Sequence, residues 1–504
     1  MASNSAGFTL LYQSKQTDKL FAMTDDLVNM IKTNVKKYHI IPDIDSIAKT
    51  HTLFINNAYK PYAKIACEYI KVLPNGVYGN LLMNSNPSLE FTIPSYGHFI
   101  SDMVFHIRVS PIGDSTEATA SPYYRYCAYP GIRLLKEVKL TLGPEDVDVY
   151  DAMDVLSYQK FHVEDMASWD AQMGQQEIRE GLYASTQGYT GSYMYRDGAQ
   201  SIKRYHPEYH WWVPANFWFC QDMSRALPAS IYPNTQRKVR ITLENINNMI
   251  QQVNSTTLLP ETLSLTSHNI TIELYINNVF ITKELFSVYN YLNKMMAIRV
   301  HKRSKIIANE SINKYLLSSF IKYPTEYMTV GFQDPANQLD PDFWWLMGRN
   351  IVKPVPKKII TPAMIYNPTV GLYQLVTYEC KPFSTLDKVI STLYMSAGSN
   401  IDIYPKNMIE SFYMRYLPTR FRQQNCIKAP NDECIYFIPF SVYQQKDTEL
   451  SGIFDFSLIN DAYLHYESSY ISRSNVVDLY ICASCINLIV NDDNNTDVYH
   501  LRYI

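Results

Sequence analysis

The stretch from Asn269 to Phe332 constrains the fold of this chain more than any other. It opens with strict alternation: Ile270, Ile272, Leu274 and Ile276 fall on one face, Thr271, Glu273 and Tyr275 on the other. That is the pattern of a half-buried strand. Asn277-Asn278 interrupts it where a bulge or bend would, and Val279-Phe280-Ile281 completes it. Leu285, Val288, Tyr289 and Leu292 then recur at helical spacing, which predicts a short helix. Extended patterning resumes at Met296-Ala297-Ile298-Arg299-Val300 and again at Tyr327-Met328-Thr329-Val330. A strand ending one sheet system, a short helix and strands opening another mark a boundary between two β-domains. The boundary lies near the middle of 504 residues, so each half is large enough to bury its own core.

Both halves read as short strands separated by turns. In the first, Met103–Val109, Val138–Leu142, Asn216–Phe219 and Arg237–Leu243 are strand-like, and Trp211-Trp212-Val213-Pro214 reads as extended. Asp146–Gln176 predicts a helical insertion, and the Tyr-, Ser- and Gly-rich run Gly181–Gln200 a long exposed loop. In the second half the strand-like pieces are Leu372–Tyr378, Ile401–Tyr404, Ile435–Phe440 and Phe454–Leu458. The chain closes with a hairpin: Val477–Val490, an Asn/Asp turn from Asn491 to Thr496, and Val498–Ile504. No sequence self-similarity links the halves. The clearest amphipathic helix is Asp18–Lys37, where Leu20, Met23, Leu27, Met30 and Ile31 form one stripe and Lys32, Lys36 and Lys37 gather at the end. It either packs beneath the first domain or forms an arm that grips an inner layer.

Composition narrows the function classes. A net charge of −3 gives no basic field for nucleic acid. Met1–Gly7 lacks the features of a signal peptide, and no apolar run approaches the roughly 20 residues of a membrane span. Eight cysteines without framework spacing fit free thiols in a reducing compartment. Tyrosine, at 41 residues, favours strands and interfaces, while 17 glycines leave little material for phosphate-cradling loops.

Four constellations could carry chemistry. His206 and His210 lie four apart with Glu208 between them, a zinc spacing on a helix, but Pro207 and the extended run that follows argue against one. Cys482 and Cys485 form a CxxC inside an apolar strand, where a spacing of three sends the side chains to opposite faces and implies structural thiols. Arg299, His301, Lys302, Arg303 and Lys305 are the densest basic run, read as a solvated edge or intersubunit charge pairing, or else as contact with an anionic surface. Asp340-Pro341-Asp342 before Phe343-Trp344-Trp345 is the one candidate for paired carboxylates in an aromatic cleft, as a carbohydrate-binding or hydrolytic β-sandwich would have. No catalytic, cofactor or metal residues are assigned, and no enzyme is expected.

Several patches carry a resemblance. They include Lys60-Pro61-Tyr62, Tyr129-Pro130-Gly131 with Arg133-Leu134, Met173-Gly174-Gln175, Phe217-Trp218-Phe219, Glu273–Asn278, Ile298–Lys302, Glu326-Tyr327-Met328 and Ala483-Ser484. In this order, from about His51 to Ile504, the chain resembles the double jelly-roll major capsid proteins of nucleocytoplasmic large DNA viruses, in particular the asfarvirus-like ones. The loops between Val104 and Tyr126 and between Gln176 and Trp211 are shorter than in that group. The resemblance implies an all-β fold of two consecutive eight-stranded jelly-roll sandwiches with an N-terminal helical arm and inserted loops. The divisions expected are an arm at 1–44, a first jelly roll at 45–283, a helical linker at 284–295 and a second jelly roll at 296–504. It implies a homotrimeric capsomer in contact with neighbouring capsomers, in the virion capsid, assembled in the host cytoplasm. Minor capsid proteins, an inner membrane reached through the arm and an assembly chaperone are the further partners, with no direct nucleic-acid contact. A trimeric scaffold on immature virion membranes, as in poxviruses, is the alternative with the same fold.

Overall fold

The computed structural model describes residues 65–499, with breaks of five or more residues at 77–85, 116–120, 176–180, 185–189, 194–202, 229–235, 255–259, 353–360, 379–383, 423–433 and 443–450 and shorter ones elsewhere. The expected arm, the Asp18–Lys37 helix, Lys60-Pro61-Tyr62 and the C-terminal residues beyond Tyr499 lie outside the described residues.

Sixteen strands build two sandwiches. The first eight are β1 (Ile65–Val72), β2 (Ser88–Thr92), β3 (Phe99–Val109), β4 (Leu135–Leu142), β5 (Glu145–Asp151), β6 (Tyr209–Pro214), β7 (Arg237–Leu243) and β8 (Ile270–Ile281). They form two antiparallel sheets in the orders β1-β8-β3-β6 and β2-β7-β4-β5. The next eight are β9 (Met295–Ala308), β10 (Ile312–Leu316), β11 (Pro324–Gln333), β12 (Thr392–Ala397), β13 (Ile401–Tyr404), β14 (Ile435–Pro439), β15 (Ala462–Glu467) and β16 (Val477–Asp492). Their sheets run β9-β16-β11-β14 and β10-β15-β12-β13, the first pair of orders with eight added to every number. This arrangement is the jelly roll, present twice. The repeat is one of topology: alternation of apolar residues suffices to specify each strand, so the same order of strands needs no shared sequence.

The long alternating stretch is β8, which lies between β1 and β3, buries Ile270, Ile272, Leu274 and Ile276, and shifts register against β3 at Asn277/Asn278. With Phe91, Phe105, Leu140 and Val239 these residues make the first core. Met328, Val330, Leu393, Leu464, Leu479 and Ile481 make the second. A helix, α2 (Lys283–Leu292), joins β8 to β9, and α1 (Ala152–His162) follows β5 directly. Among the described residues no helix is long and apolar enough to cross a membrane.

Local structure departs from the sequence expectation in three places. The strand expected at Asn216–Phe219 is a helical turn, Trp218–Gln221, because Phe217, Trp218 and Phe219 are all buried and three consecutive rings cannot share one face of a strand. The expected helical insertion begins later than Asp146, since Glu145–Asp151 is β5, paired along β4. The run Gly181–Gln200 is not wholly a loop: Gly181–Ala184 and Thr190–Tyr193 pair as a hairpin. A closing hairpin is present, but β16 runs to Asp492 and pairs with Asn495–Tyr499, so the ladder extends into the turn expected at Asn491–Thr496.

Candidate functional site at the seam between the sandwiches

Strand β9 supplies the first half of the site. Ile298 and Val300 point into the second core, so Arg299, His301, Arg303 and Lys305 all project from the opposite face. That face is covered by β5 and α1 of the first sandwich. The basic run is therefore an internal joint, which corrects its reading as a solvated edge or a contact between subunits.

Each cation has a carboxylate waiting. Arg299 donates from Nε and Nη2 to the two oxygens of Glu326, at 2.6 and 2.9 Å, and the Glu326 side chain has no exposed surface. His301 donates its backbone N–H to Asp148 Oδ1 at 2.8 Å and brings Nδ1 to within 3.0 Å of Asp148 Oδ2. Arg303 reaches Glu137 at 2.7 Å, Asp151 at 3.4 Å and Asp154 at 3.6 Å. Lys305 lies 3.0 Å from Asp478. Lys302, on the other face, sits over the Tyr323 ring at 4.6 Å.

The carboxylates are positioned by their own local structure. Asp151 is the N-cap of α1 and accepts from the backbone N–H groups of Met153 and Asp154, while Asp154 accepts from that of Asp151. One capping box thus starts the helix and presents two acids to Arg303. From there α1 crosses the whole sheet. Asp154 meets Arg303 of β9 and Cys482 of β16, His162 Nε2 lies 3.3 Å from Tyr327 Oη of β11, and Phe161 packs on Phe437 of β14 at 5.2 Å.

A second joint lies beside the first. Trp344, almost fully buried, donates Nε1–H to the carbonyl of Ala128 at 2.6 Å, and Ala128 N–H donates to the carbonyl of Pro341 at 2.9 Å. The Arg133 guanidinium donates to the carbonyl of Gln338 at 3.1 Å and stands over Trp344, and Trp345 meets Tyr129 edge-on at 5.3 Å. Tyr129 has φ +44°, the left-handed region that few side chains adopt, and its N–H donates to Gln175 Oε1. Gly131 admits no Cβ, which would meet Val213 at 2.8 Å and the Met173 carbonyl at 3.0 Å. The aromatic pair Trp344-Trp345 is consumed inside the molecule, so it lines no carbohydrate cleft; Asp342 and Phe343 lie outside the described residues.

The remaining candidates separate. His206 is buried, with Nε2 2.7 Å from the Tyr124 carbonyl, and burial holds its imidazole down to about 4. His210 lies on β6, its Nδ1 2.9 Å from His106 Nε2, so the two imidazoles of the HxxxH spacing face different neighbours. Cys482 faces Asp154, and burial first and that carboxylate second keep its thiol protonated. Cys485 lies in the core 3.4 Å from Thr325 Oγ1, on the other side of β16, and burial pushes it up to about 12. Among the described residues no group of three or more His, Cys, Asp or Glu side chains is placed to hold a metal ion. The seam holds a small, partly open pocket of about 30 Å3 bordered by Asp154, His162, Arg299, His301 and Cys482.

The chemistry of this site is adhesion. Burial disfavours the His301 imidazolium, but Asp148, with Asp154 adding to it, outweighs that and raises the group to about 9. Burial and the neighbouring Asp154 push Asp151 up to about 6 against the pull of Arg303. Both groups hold a proton more tightly in the folded chain than in the unfolded one, so their contribution to stability falls as pH rises. For His301 it is complete below 6.5 and lost through about 9. Melting temperatures followed from about pH 6 to about pH 9.5 are expected to fall more steeply for the parent than for His301→Gln; parallel curves would refute the pairing.

Comparison with known proteins agrees with this architecture. Residues 52–282 match the family described as major capsid protein N-terminus. Two African swine fever virus proteins, a major capsid protein and hexon protein p72, are each 22% identical over 97% of this chain and 98% of their own length. The chain is similar to viral major capsid proteins. Those alignments span 652 positions against 504 residues here, so the relatives carry segments this chain lacks. The Faustovirus major capsid protein superposes with a TM-score of 0.70 at 22% identity, covering 94% of this chain and 98% of that one. The PBCV-1 virus capsid gives 0.59 at 15% identity, over 89% and 99%. The double jelly-roll fold is thus shared over 94% of this chain. The patches that carry the resemblance in sequence, Tyr129-Pro130-Gly131, Arg133, Met173-Gly174-Gln175, Ile298–Lys302 and Glu326, are largely the residues of the two joints.

Proposed function

We propose that this chain is the structural subunit of a large DNA virus capsid, assembling as a trimer of pseudo-hexagonal outline that tiles an icosahedral shell. The observation that carries the reading is the duplication itself. Two sandwiches of one topology, clamped by a buried seam, make a rigid two-lobed block, and three such blocks offer six similar edges to a hexagonal lattice. The relatives, named as capsid and hexon proteins, favour a permanent shell over a transient scaffold.

In this reading residues 1–44 are an arm, 45–283 and 296–504 are the sandwiches and 284–295 is the linker. The arm contacts minor capsid proteins or an inner membrane, assembly takes place in the host cytoplasm with a chaperone, and the role is structural rather than catalytic. Native mass spectrometry of the purified chain is the test. A trimer that persists on dilution is expected, and a monomer or dimer at every concentration would overturn the proposal.

A further inference from the structure

In sheet β1-β8-β3-β6, Phe105, Ile107, Ile272, Leu274, Trp211 and Val213 are buried in the core, so the residues between them point outward. On that outer face His106 lies opposite Glu273 on one side and Trp212 on the other, with His210 two residues along β6. The sequence spacing offers His206 as the partner of His210. The sheet supplies His106 instead, 104 residues away.

His106 Nε2 and His210 Nδ1 are 2.9 Å apart. The ring planes lie within 9° of each other and the centroids are 5.1 Å apart, so the rings meet edge to edge with these two nitrogens between them. The outer nitrogens both face carboxylates: His106 Nδ1 is 3.3 Å from Glu273 Oε2, and His210 Nε2 is 3.3 Å from Glu208 Oε1. Glu273 accepts in turn from Lys71 at 2.9 Å and from the Tyr275 hydroxyl at 3.3 Å, and Glu208 lies 3.9 Å from Arg108 Nε. Burial disfavours the Glu273 carboxylate, but Lys71 and His106 outweigh it and hold the group below the usual carboxylate range. Trp212 walls one side, its ring 4.2 Å from that of His106. A carboxylate draws an imidazole's proton to the nitrogen that faces it. Both rings therefore carry an N–H on the outside and turn a lone pair toward each other. Two lone pairs at this separation repel unless a cation lies between them. A shared proton fills that place, and so can a metal ion.

We propose that His106 and His210 together bind a late transition-metal dication, copper(II) above all, in place of the shared proton. A carboxylate behind each imidazole is the support that metal-bound histidines ordinarily have. Imidazole suits copper, nickel and zinc, and copper heads the affinity order for such nitrogens. At metal–nitrogen lengths of roughly 2.0–2.1 Å, adjacent corners of a square lie about 2.9 Å apart and those of a tetrahedron about 3.4 Å. The observed separation matches the square, the geometry of copper(II) and nickel(II). A small swing of His210, whose side chain is 49% exposed, lets both lone pairs converge on the ion. Two protein ligands leave the other corners to water, so the site is open and needs no third His, Cys, Asp or Glu. All of these groups belong to one chain, so binding does not presuppose the trimer.

The test uses the full chain, stripped with a chelator and titrated with copper(II) chloride. A single equivalent is expected to bind tightest, with electron paramagnetic resonance showing coupling to two imidazole nitrogens. His210→Gln, at a half-exposed ring, and His106→Gln are each expected to weaken that equivalent at least about tenfold. Glu273→Gln touches no metal and is expected to weaken it about tenfold by releasing the His106 ring. The bound ion is also expected to quench Trp212, a fluorescence loss missing from Trp212→Phe. His465→Gln, on the second sandwich, is the control expected to bind as the parent does. Melting temperatures accompany each variant, so that lost binding is read only from folded chains. Unweakened binding by folded His210→Gln, or a parent spectrum without two imidazoles, would overturn the site.

Discussion

Glu326→Ala is expected to cost about 3–5 kcal/mol, the range for removing one partner of a buried ion pair. The Glu326 carboxylate is wholly buried and both its oxygens are taken by Arg299, whose side chain is itself only 14% exposed. Truncation would remove both of these charge-assisted hydrogen bonds from the Arg299 guanidinium. Glu326 also occupies the register shift of β11 against β16, between Thr325 and Tyr327, where neighbouring backbone cannot slide to compensate. Its carbonyl accepts from Phe440 and Ser441, and those bonds persist in the variant, so the measured loss reports the side chain. The double variant Arg299→Met, Glu326→Leu is expected to recover most of the stability, since an apolar pair of similar volume carries no uncompensated charge. Denaturant midpoints for the two singles and the double decide the matter. Losses below about 1 kcal/mol in both singles would place the pair among those contributing little.

Trp344→Ala is expected to be as costly, about 3–5 kcal/mol, and to change the character of unfolding. The ring fills the contact between the two sandwiches, under Arg133 and against the backbone of Ala128. Without it the seam retains the charge joint but loses its apolar joint. Calorimetry of the parent should show one cooperative transition, and that of the variant two, because the sandwiches then share too little surface to melt together. Trp344→Phe keeps most of the ring and loses the N–H donor, and is expected to cost about 1–3 kcal/mol. A single unshifted transition for Trp344→Ala would show that this contact does not couple the sandwiches.

Much of the scaffold was legible because a strand declares itself by alternation. β8 shows this best, its apolar residues falling one on, one off along its first half. The same rule applied to β9 separates Ile298 and Val300 from Arg299, His301 and Arg303, so the orientation of the basic run was open to reading. Its partners were not. Asp148 and Glu137 lie 153 and 166 residues away from His301 and Arg303, and nothing local in either segment announces the other. The aromatic run at Phe217 failed for a different reason. Strong strand formers were overruled by tertiary position, where the chain leaves β6 and packs rings into the seam on every side. Asp340-Pro341 and Trp344-Trp345 looked like a binding cleft because exposed and buried aromatics are indistinguishable in sequence.

The long pairing of β9 with β16 fixes the order in which this molecule is made. Every residue of β9, from Met295 to Ala308, finds its ladder partner between Val477 and Val490. At typical synthesis rates the intervening stretch takes on the order of ten to thirty seconds to emerge. The first sandwich has all of its strands before β9 exists, and must stand through that interval with Asp148 and Asp154 uncovered. Loop closure over such a span is slow in any case. The nascent chain therefore passes through a half-built stage with an acidic, unsheltered flank, and the binding of the last strand is the step that ends it.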